Sequence, residues 1–479
     1  MLQISLLLTT WVAIFHVTWS QSLEMTDAFQ KNLCHDRWSV MDWQSIIRPC
    51  RPYMQFGTEK RSIEKYRTSP KWSHTLGLDL EKTGVFNKIT IQTRTADGHN
   101  KQEGGDTWRV FVRGADRITP SITDLNNGVY ETKFIAMQPG HYKAEIVLES
   151  TLCEAFKDPP QDWLKRDSAI IIGDEKNSKL LWEPLRGGNI SFKIEQSPKN
   201  VTQDLRQNLK RWKESCGRQY KCDPLLWKGF GRWVNKTWTP YIDDEILEYN
   251  NEDGIESCFK HKEGVFKMVG DEMTQELSER LKTKDLCKNV FKECIPYEDD
   301  TSEKKNITPQ KTFSTAMHLK RLKEIISKSE MGKESGLLLT YGHPFVRNLG
   351  FKKYRTFIDR AAKILKEKYK GKAVWRTIST KWRDSDDPNN HFNNHQRVKL
   401  FNAYATSTMC NNGIPVLDVF QMSESAPNGD RKSLLKNVEK ILTQYYRRNP
   451  AKACVKRTVN KKKALSSAML TDITKIGTK

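Results

Sequence analysis

The sequence predicts two domains of different class: an antiparallel β-sandwich, then an α/β domain with a parallel sheet between helices. Three observations predict this. The chain has 479 residues, more than one ordinary domain holds. From about Ser69 to Leu148, apolar and polar residues alternate with a period of two. From Cys258 onward, short apolar runs alternate with stretches whose apolar residues recur at helical spacing.

The elements follow in chain order. Ile4 to Val17 is a mostly apolar run with one late histidine, His16. It ends at Thr18-Trp19-Ser20, which puts small residues at positions minus three and minus one of a cleavage site. Residues 1–20 are therefore expected to be a signal peptide, although no basic segment precedes the run. An uncleaved anchor is the alternative, and the run is short for a membrane span. Residues 21–60 read as a lead-in carrying Cys34 and Cys50.

Residues 61–205 are expected to form the sandwich. Ile89, Ile91 and Thr93 alternate with polar residues, as do Trp108, Val110 and Val112. Tyr142, Ala144, Ile146 and Leu148 make a third strand. Turn signals at Ala96-Asp97-Gly98, Asn126-Asn127-Gly128 and Gln138-Pro139-Gly140 separate them. Ala169 to Ile172 and Ile190 to Ile194 are candidates for further strands. A polar helical stretch, Asp204 to Lys213, leads to Cys216.

Residues 206–446 are expected to form the α/β domain. Val265 to Val269, Leu337 to Thr340, Ala373 to Ile378 and Ile414 to Phe420 read as strands. Met273, Leu277 and Leu281 mark one helix, and Tyr354, Ile358, Ala361 and Leu365 a second. Leu434, Val438, Ile441 and Tyr445 mark a closing helix. This alternation implies parallel strands with helices on both faces. The lysine-rich stretch from Asp299 to Lys311 reads as a loop.

Several features point outside the cell. There are ten cysteines: Cys34, Cys50, Cys153, Cys216, Cys222, Cys258, Cys287, Cys294, Cys410 and Cys454. An even number behind a signal peptide suggests disulfides, whose pairing the sequence leaves open. No spacing repeats CxxC beside histidines, so no metal is expected, and no cofactor. Sequons begin at Asn189, Asn200, Asn235 and Asn306, the last weakened by Pro309. No segment after the leader is long enough to span a membrane.

The formal net charge is +22. Inside a cell this balance would suggest nucleic acid. Outside, it suggests an acidic glycan, an anionic matrix or an acidic protein face. Residues 447–479 hold ten Lys or Arg, including Lys461-Lys462-Lys463, against the single acid Asp472. A solvated basic tail is the expectation there.

Some tracts resemble a known family. Gly104-Gly105-Asp106-Thr107-Trp108-Arg109, then Asp124, Asn127-Gly128, Tyr130 and Gly140-x-Tyr142, resemble the neurexophilin-like, filamin-type immunoglobulin domain of NXPE proteins. Gly231-Arg232-Trp233-Val234, Trp238-Thr239-Pro240, Cys258, Gly270-Asp271, Tyr341-Gly342-His343-Pro344 and the segment around Asp418 follow the order of elements in their PC-esterase domain. That domain is a branch of the SGNH hydrolases. The resemblance implies an immunoglobulin-like β-sandwich followed by a three-layer α/β SGNH-hydrolase-like domain.

It also implies where chemistry would sit. The family's first strand ends in Gly-Asp-Ser, with the serine as nucleophile at a strand-to-helix turn. A late Asp-x-x-His supplies the base. Here the turn reads Gly270-Asp271-Glu272-Met273-Thr274, so Glu272 takes the serine position. Near the end stands Asp430-Arg431-Lys432-Ser433, so Ser433 takes the histidine position. No histidine follows His395, which leaves His343, His391 and His395 to approach from other loops.

No catalytic residue is therefore expected, with Glu272, Asp430 and Ser433 as degenerate positions. The expected function is that of a secreted, non-catalytic extracellular binding or matrix glycoprotein. The alternative is a carbohydrate O-acyl esterase or acyltransferase. Trp227, Trp233 and Trp238 are read first as core and second as a sugar-stacking platform.

Overall fold

The computed structural model describes residues 29–58, 64–160, 181–198, 216, 224–241, 264–299, 313–380 and 391–448. They divide into two compact units. The first draws on residues up to Lys157, Ser178–Lys221 and Asn402–Ser407; the second draws on the remainder. The leader, the candidate strand 169–172, the helical stretch 204–213, the loop at 300–311 and the basic tail from 449 on lie outside the described residues.

The first unit is antiparallel. Its strands are β1 (His74–Asp79), β2 (Phe86–Gln92), β3 (Thr107–Gly114), β4 (Arg117–Ile118), β5 (Ser121–Asp124), β6 (Val129–Ile135), β7 (Gly140–Ser150) and β8 (Glu183–Ile194). One sheet runs in the order β1-β2-β6-β5, and in the other β4, β3, β7 and β8 follow one another. Ile89, Ile91, Tyr130 and Phe134 from the first sheet share one core with Trp108, Val110, Val112, Ala144, Ile146 and Leu148 from the second. Period-two alternation places these residues on one face of each strand, and burying each large apolar side chain contributes about 1.5–3 kcal/mol.

The tract around Gly104 is a hydrogen-bonded knot at the start of β3. Asp106 is buried and accepts hydrogen bonds from Thr68 Oγ1 (2.6 Å), Thr151 Oγ1 (2.7 Å) and Lys101 Nζ (2.9 Å). Its backbone N–H donates to Tyr130 Oη at 2.9 Å. The Gly105 N–H donates to Asp124 Oδ2 at 2.8 Å. A Cβ on Gly104 would stand 2.3 Å from that carboxylate, so only glycine fits. Gly128, at φ +81°, has its Cβ direction filled by the Lys101 carbonyl oxygen at 2.1 Å. Burial raises the Asp124 carboxyl above its ordinary value, against the two backbone N–H groups it accepts from.

Residues 29–58, the described part of the 21–60 lead-in, are bound to this unit by disulfides Cys34–Cys216 and Cys50–Cys153. Phe29 also packs at 5.1 Å, ring tilted, against Phe86 of β2. A third disulfide, Cys287–Cys294, lies in the second unit, and Cys410 is oxidised too. Cys222, Cys258 and Cys454 lie outside the described residues. Several disulfides are compatible with an oxidising compartment. Among the described residues, no helix is long and apolar enough to cross a membrane.

The second unit opens with an antiparallel hairpin of β9 (Gly231–Val234) and β10 (Thr237–Pro240). Its main sheet is parallel, in the order β12 (Glu293–Cys294), β11 (Val265–Gly270), β14 (Gly336–Leu339), β15 (Lys372–Arg376), β16 (Val416–Leu417), and β13 (Glu298–Asp299) also pairs with β11. The helices are α1 (Glu272–Leu281), α2 (Thr315–Ile326), α3 (His343–Asn348), α4 (Phe351–Lys368), α5 (His395–Asn411, apart from Asn402–Ser407, which count with the first unit), α6 (Phe420–Glu424) and α7 (Arg431–Arg448).

Helices cover both faces of the parallel sheet. On one face Phe266, Met268, Leu338, Val374 and Leu417 pack with Met273, Leu277 and Leu281 of α1 and Leu434, Val438 and Leu442 of α7. On the other, an aromatic cluster joins Tyr341 and Trp375 to His318 of α2, Phe345 of α3 and Phe357 of α4.

The segment read as a strand from Ile414 to Phe420 is a strand over two residues, Val416–Leu417. Asp418 ends it: its Oδ1 accepts from Thr377 Oγ1 and from the Phe420 N–H, both at 3.0 Å, and α6 starts there. A Cβ on Gly229 would meet the Asp418 carbonyl oxygen at 2.3 Å, which explains the glycine.

Candidate functional site

The C-terminal ends of β11 and β14 and the chain just after β15 converge on one cavity of about 620 Å³. In open α/β sheets, ligands bind at this edge of the strands. Its walls include Asp271, Glu272, Tyr297, His343, Thr380, Asn393, Asp430 and Arg431.

Asp271 is the N-cap of α1. Its Oδ1 accepts from the Thr274 N–H and Oγ1, both at 3.1 Å. The same oxygen accepts from Arg376 Nη2 at 2.5 Å. Arg376 is fully buried at the end of β15, and its Nη2 also donates to Thr274 Oγ1 at 2.8 Å. Burial by itself pushes the Asp271 carboxyl up. The Arg376 guanidinium, then His343 and the Thr274 bonds, outweigh it and hold the carboxyl below its ordinary value. Cβ atoms on Gly270 or Gly342 would lie 2.4 Å from Thr274 Oγ1 or Asp271 Oδ2, so this corner requires both glycines.

Glu272 is the first residue of α1 and points outward, its side chain 77% exposed. Its carboxylate lies 3.5 Å from Arg431, whose Nε is 2.9 Å from Glu276. Burial raises the Glu276 carboxyl, Arg431 opposes this, and Glu272 adds to the rise.

Asp430 precedes α7 and repeats the device seen at Asp271. It accepts from the Ser433 N–H at 2.9 Å and from Ser433 Oγ at 2.6 Å. These bonds, the hydroxyl first, hold its carboxyl below the usual range. Two Asp-x-x-Ser/Thr helix starts thus meet at the cavity, and Arg431 joins them through Glu272 and Glu276.

His343 lines the cavity, and its Nδ1 is 2.9 Å from Asn393 Oδ1. His395 is buried. Its Nδ1 lies 3.1 Å from Glu424 and 3.3 Å from Thr380 Oγ1, with the Phe420 ring tilted against it at 5.1 Å. His391 sits edge-on to Phe392 at 4.7 Å.

The structure brings Glu272, Asp430 and His343 to one cavity. Arg376, Arg431 and Asn393 are the residues sequence reading did not assign. Arg431 was visible inside the Asp430–Ser433 tract. Arg376 ends an apolar strand, where a buried arginine needs an acid, and Asp271 at the end of β11, two strands away, is that acid.

The tryptophans are core. Trp233 Nε1 donates to the Met422 carbonyl at 2.9 Å, Trp238 Nε1 donates to the Lys228 carbonyl at 2.8 Å, and the rings meet edge-to-face at 5.7 Å. Trp227 is buried as well. Of the sequons, Asn235 is exposed at the β9–β10 turn with φ +54°, and Asn189 is exposed on β8. Asn200 and Asn306 lie outside the described residues. Among the described residues, no cluster of three or more His, Cys, Asp or Glu has the arrangement of a metal site.

No family model matches the chain. Among solved structures it is similar to the filamin domain of Lin-41, at 15% identity over 27% of this chain and 99% of that one, with a TM-score of 0.19. It is also similar to a lipase/acylhydrolase from Enterococcus faecalis, at 15% identity over 39% of this chain and 97% of that one, with a TM-score of 0.28. Likenesses this weak carry no functional conclusion.

Proposed function

We propose that this chain is a secreted NXPE-type glycoprotein. On this reading its second unit is an SGNH-hydrolase-like domain that has lost acyl chemistry and serves as a non-catalytic extracellular binding or matrix module. The partner is an extracellular protein or an acidic glycan.

The observation that carries the reading is the Glu272–Arg431 contact at the cavity. At the strand-to-helix turn where a serine hydrolase presents its hydroxyl stands a carboxylate facing a guanidinium. A solvated carboxylate is a poor acyl nucleophile beside an activated serine. At the base position, Ser433 Oγ donates to Asp430 and closes a helix cap. It has no nitrogen with which to take a proton. The disulfides and the exposed Asn235 and Asn189 fit the extracellular part of the reading.

The test is a fluorophosphonate probe and an O-acetylated glycan offered to the purified secreted protein. Neither labelling nor acetate release is expected. Steady deacetylation that disappears in Glu272→Gln would sink the reading and make Glu272 a participant in the reaction.

A further inference from the structure

We infer that the solvent face of α2 and α4 is a docking surface for a linear, sulfated or carboxylated polysaccharide. This rests on the extracellular reading above and gives its glycan partner a place on the fold.

The two helices pack against each other on the face of the sheet that carries the aromatic cluster. Each lies just before a parallel strand, β14 or β15, and so carries the chain back across the sheet. Both therefore run in the same direction. Helix α4 has 18 residues and is about 27 Å long. Tyr354, Phe357, Ile358, Ala361 and Leu365 turn inward. Outward, Lys352, Thr356, Arg360, Lys363 and Lys366 recur three or four residues apart, and a spacing of this kind sets them in one stripe. Lys353 widens the stripe, and the acids Asp359 and Glu367 lie within it. Helix α2 adds Lys320 and Lys323 against Glu324.

The cations are poorly neutralised. Lys320–Glu324 and Lys363–Glu367 are loose pairs at 3.9 Å between exposed groups. Among the described residues, Lys323, Lys352, Lys353, Arg360 and Lys366 form no ion pair. Such a stripe raises the local potential over its length and suits a ligand whose charges also repeat along a line.

The face lacks what other anionic partners use. The aromatic residues of α4 are buried, so no ring is offered for base stacking. Met317 is the one large apolar side chain exposed on either helix, too little for insertion into a lipid surface.

The experiment measures binding of full-length protein to heparan sulfate chains across a salt series. One variant carries Lys352→Gln, Lys353→Gln, Lys363→Gln and Lys366→Gln. A matched variant carries four changes in the basic tail: Lys456→Gln, Lys461→Gln, Lys462→Gln and Lys463→Gln. The helix variant should bind about tenfold more weakly near physiological salt, with a flatter salt dependence. The tail variant should lose less. The same four helix positions changed to Arg should keep the affinity. If the fourfold Gln variant does not fold, Lys352→Gln with Lys353→Gln alone should give a smaller loss in the same direction. Equal or greater loss in the tail variant overturns the proposal. So does tighter binding to duplex DNA or phosphatidylserine vesicles than to heparan sulfate. Acetate release by the unmodified protein would overturn the non-catalytic reading and leave this result standing.

Discussion

Arg397 and Asp158 are 239 residues apart in sequence and meet at 2.9 Å, Nη1 to Oδ1. Arg397 is fully buried, stacks 5.0 Å from Phe401 and donates to the carbonyls of Phe392, Val346 and Leu349. The same Asp158 oxygen accepts from the Phe351 N–H at 2.9 Å, at the start of α4. Burial lowers the Arg397 pKa from its usual height, and Asp158 opposes that shift. Asp158→Ala leaves a buried cation without its counter-charge. It should cost about 3–5 kcal/mol in denaturant unfolding. Combining it with Arg397→Met should recover part of that loss, because the pair, not the charge, is what the site tolerates.

Catalysis should not return by restoring one residue. Glu272→Ser supplies a hydroxyl without a base, so fluorophosphonate labelling should remain absent. Adding Ser433→His should at most yield trace turnover, since triad members act together. An oxyanion site alone is worth about 3–4 kcal/mol in serine hydrolases. Robust labelling of the single variant would show that His343 or His395 already serves as base.

Acid stability should depend on Asp271. Its folded pKa is lowered, so its contribution is present above the unfolded value of about 3.9 and is lost as pH falls through the folded one. A pH series of unfolding curves should show this loss below about pH 4. Asp271→Asn should be less stable than the wild type at neutral pH and should flatten that acid limb. An unchanged slope would mean that the Arg376 contact contributes little.

The disulfides should contribute unequally. Cys34–Cys216 closes a separation of 182 residues and Cys287–Cys294 one of seven. Chain-entropy reasoning gives about 5 kcal/mol for the first and about 2.5 for the second. Paired Cys→Ser variants compared by thermal unfolding should preserve that order.

Asn235 should carry a glycan. It is exposed at a hairpin turn, where an oligosaccharide meets no core atoms. Intact mass of the secreted protein before and after glycosidase should differ by less in Asn235→Gln than in wild type. An identical difference would leave Asn235 unmodified.

The sandwich was legible where strands alternate cleanly, as at Ile89–Ile91 and Trp108–Val112. The short strands β4 and β5 hold too few residues to show a period. Helix α5 was missed for the opposite reason: from Val398 to Thr406 nearly every residue is buried, so no polar face marks it. Helix α2 had a readable stripe at Leu319, Leu322 and Ile326 that went unassigned. At the cavity, Glu272 and Asp430 were found through the resemblance. The Arg376–Asp271 bond joins residues 105 apart, and no local pattern reports a contact of that span.

Position 272 begins a helix whose start is secured by its neighbours. Asp271, Thr274 and Arg376 set the turn, while the Glu272 side chain stands mostly in solvent beside the cavity. The position is therefore an attachment point. A fluorophore coupled to Glu272→Cys would keep the α1 cap intact and put an optical reporter beside the cavity. Its emission would reveal occupancy by any small ligand, whether or not a reaction follows.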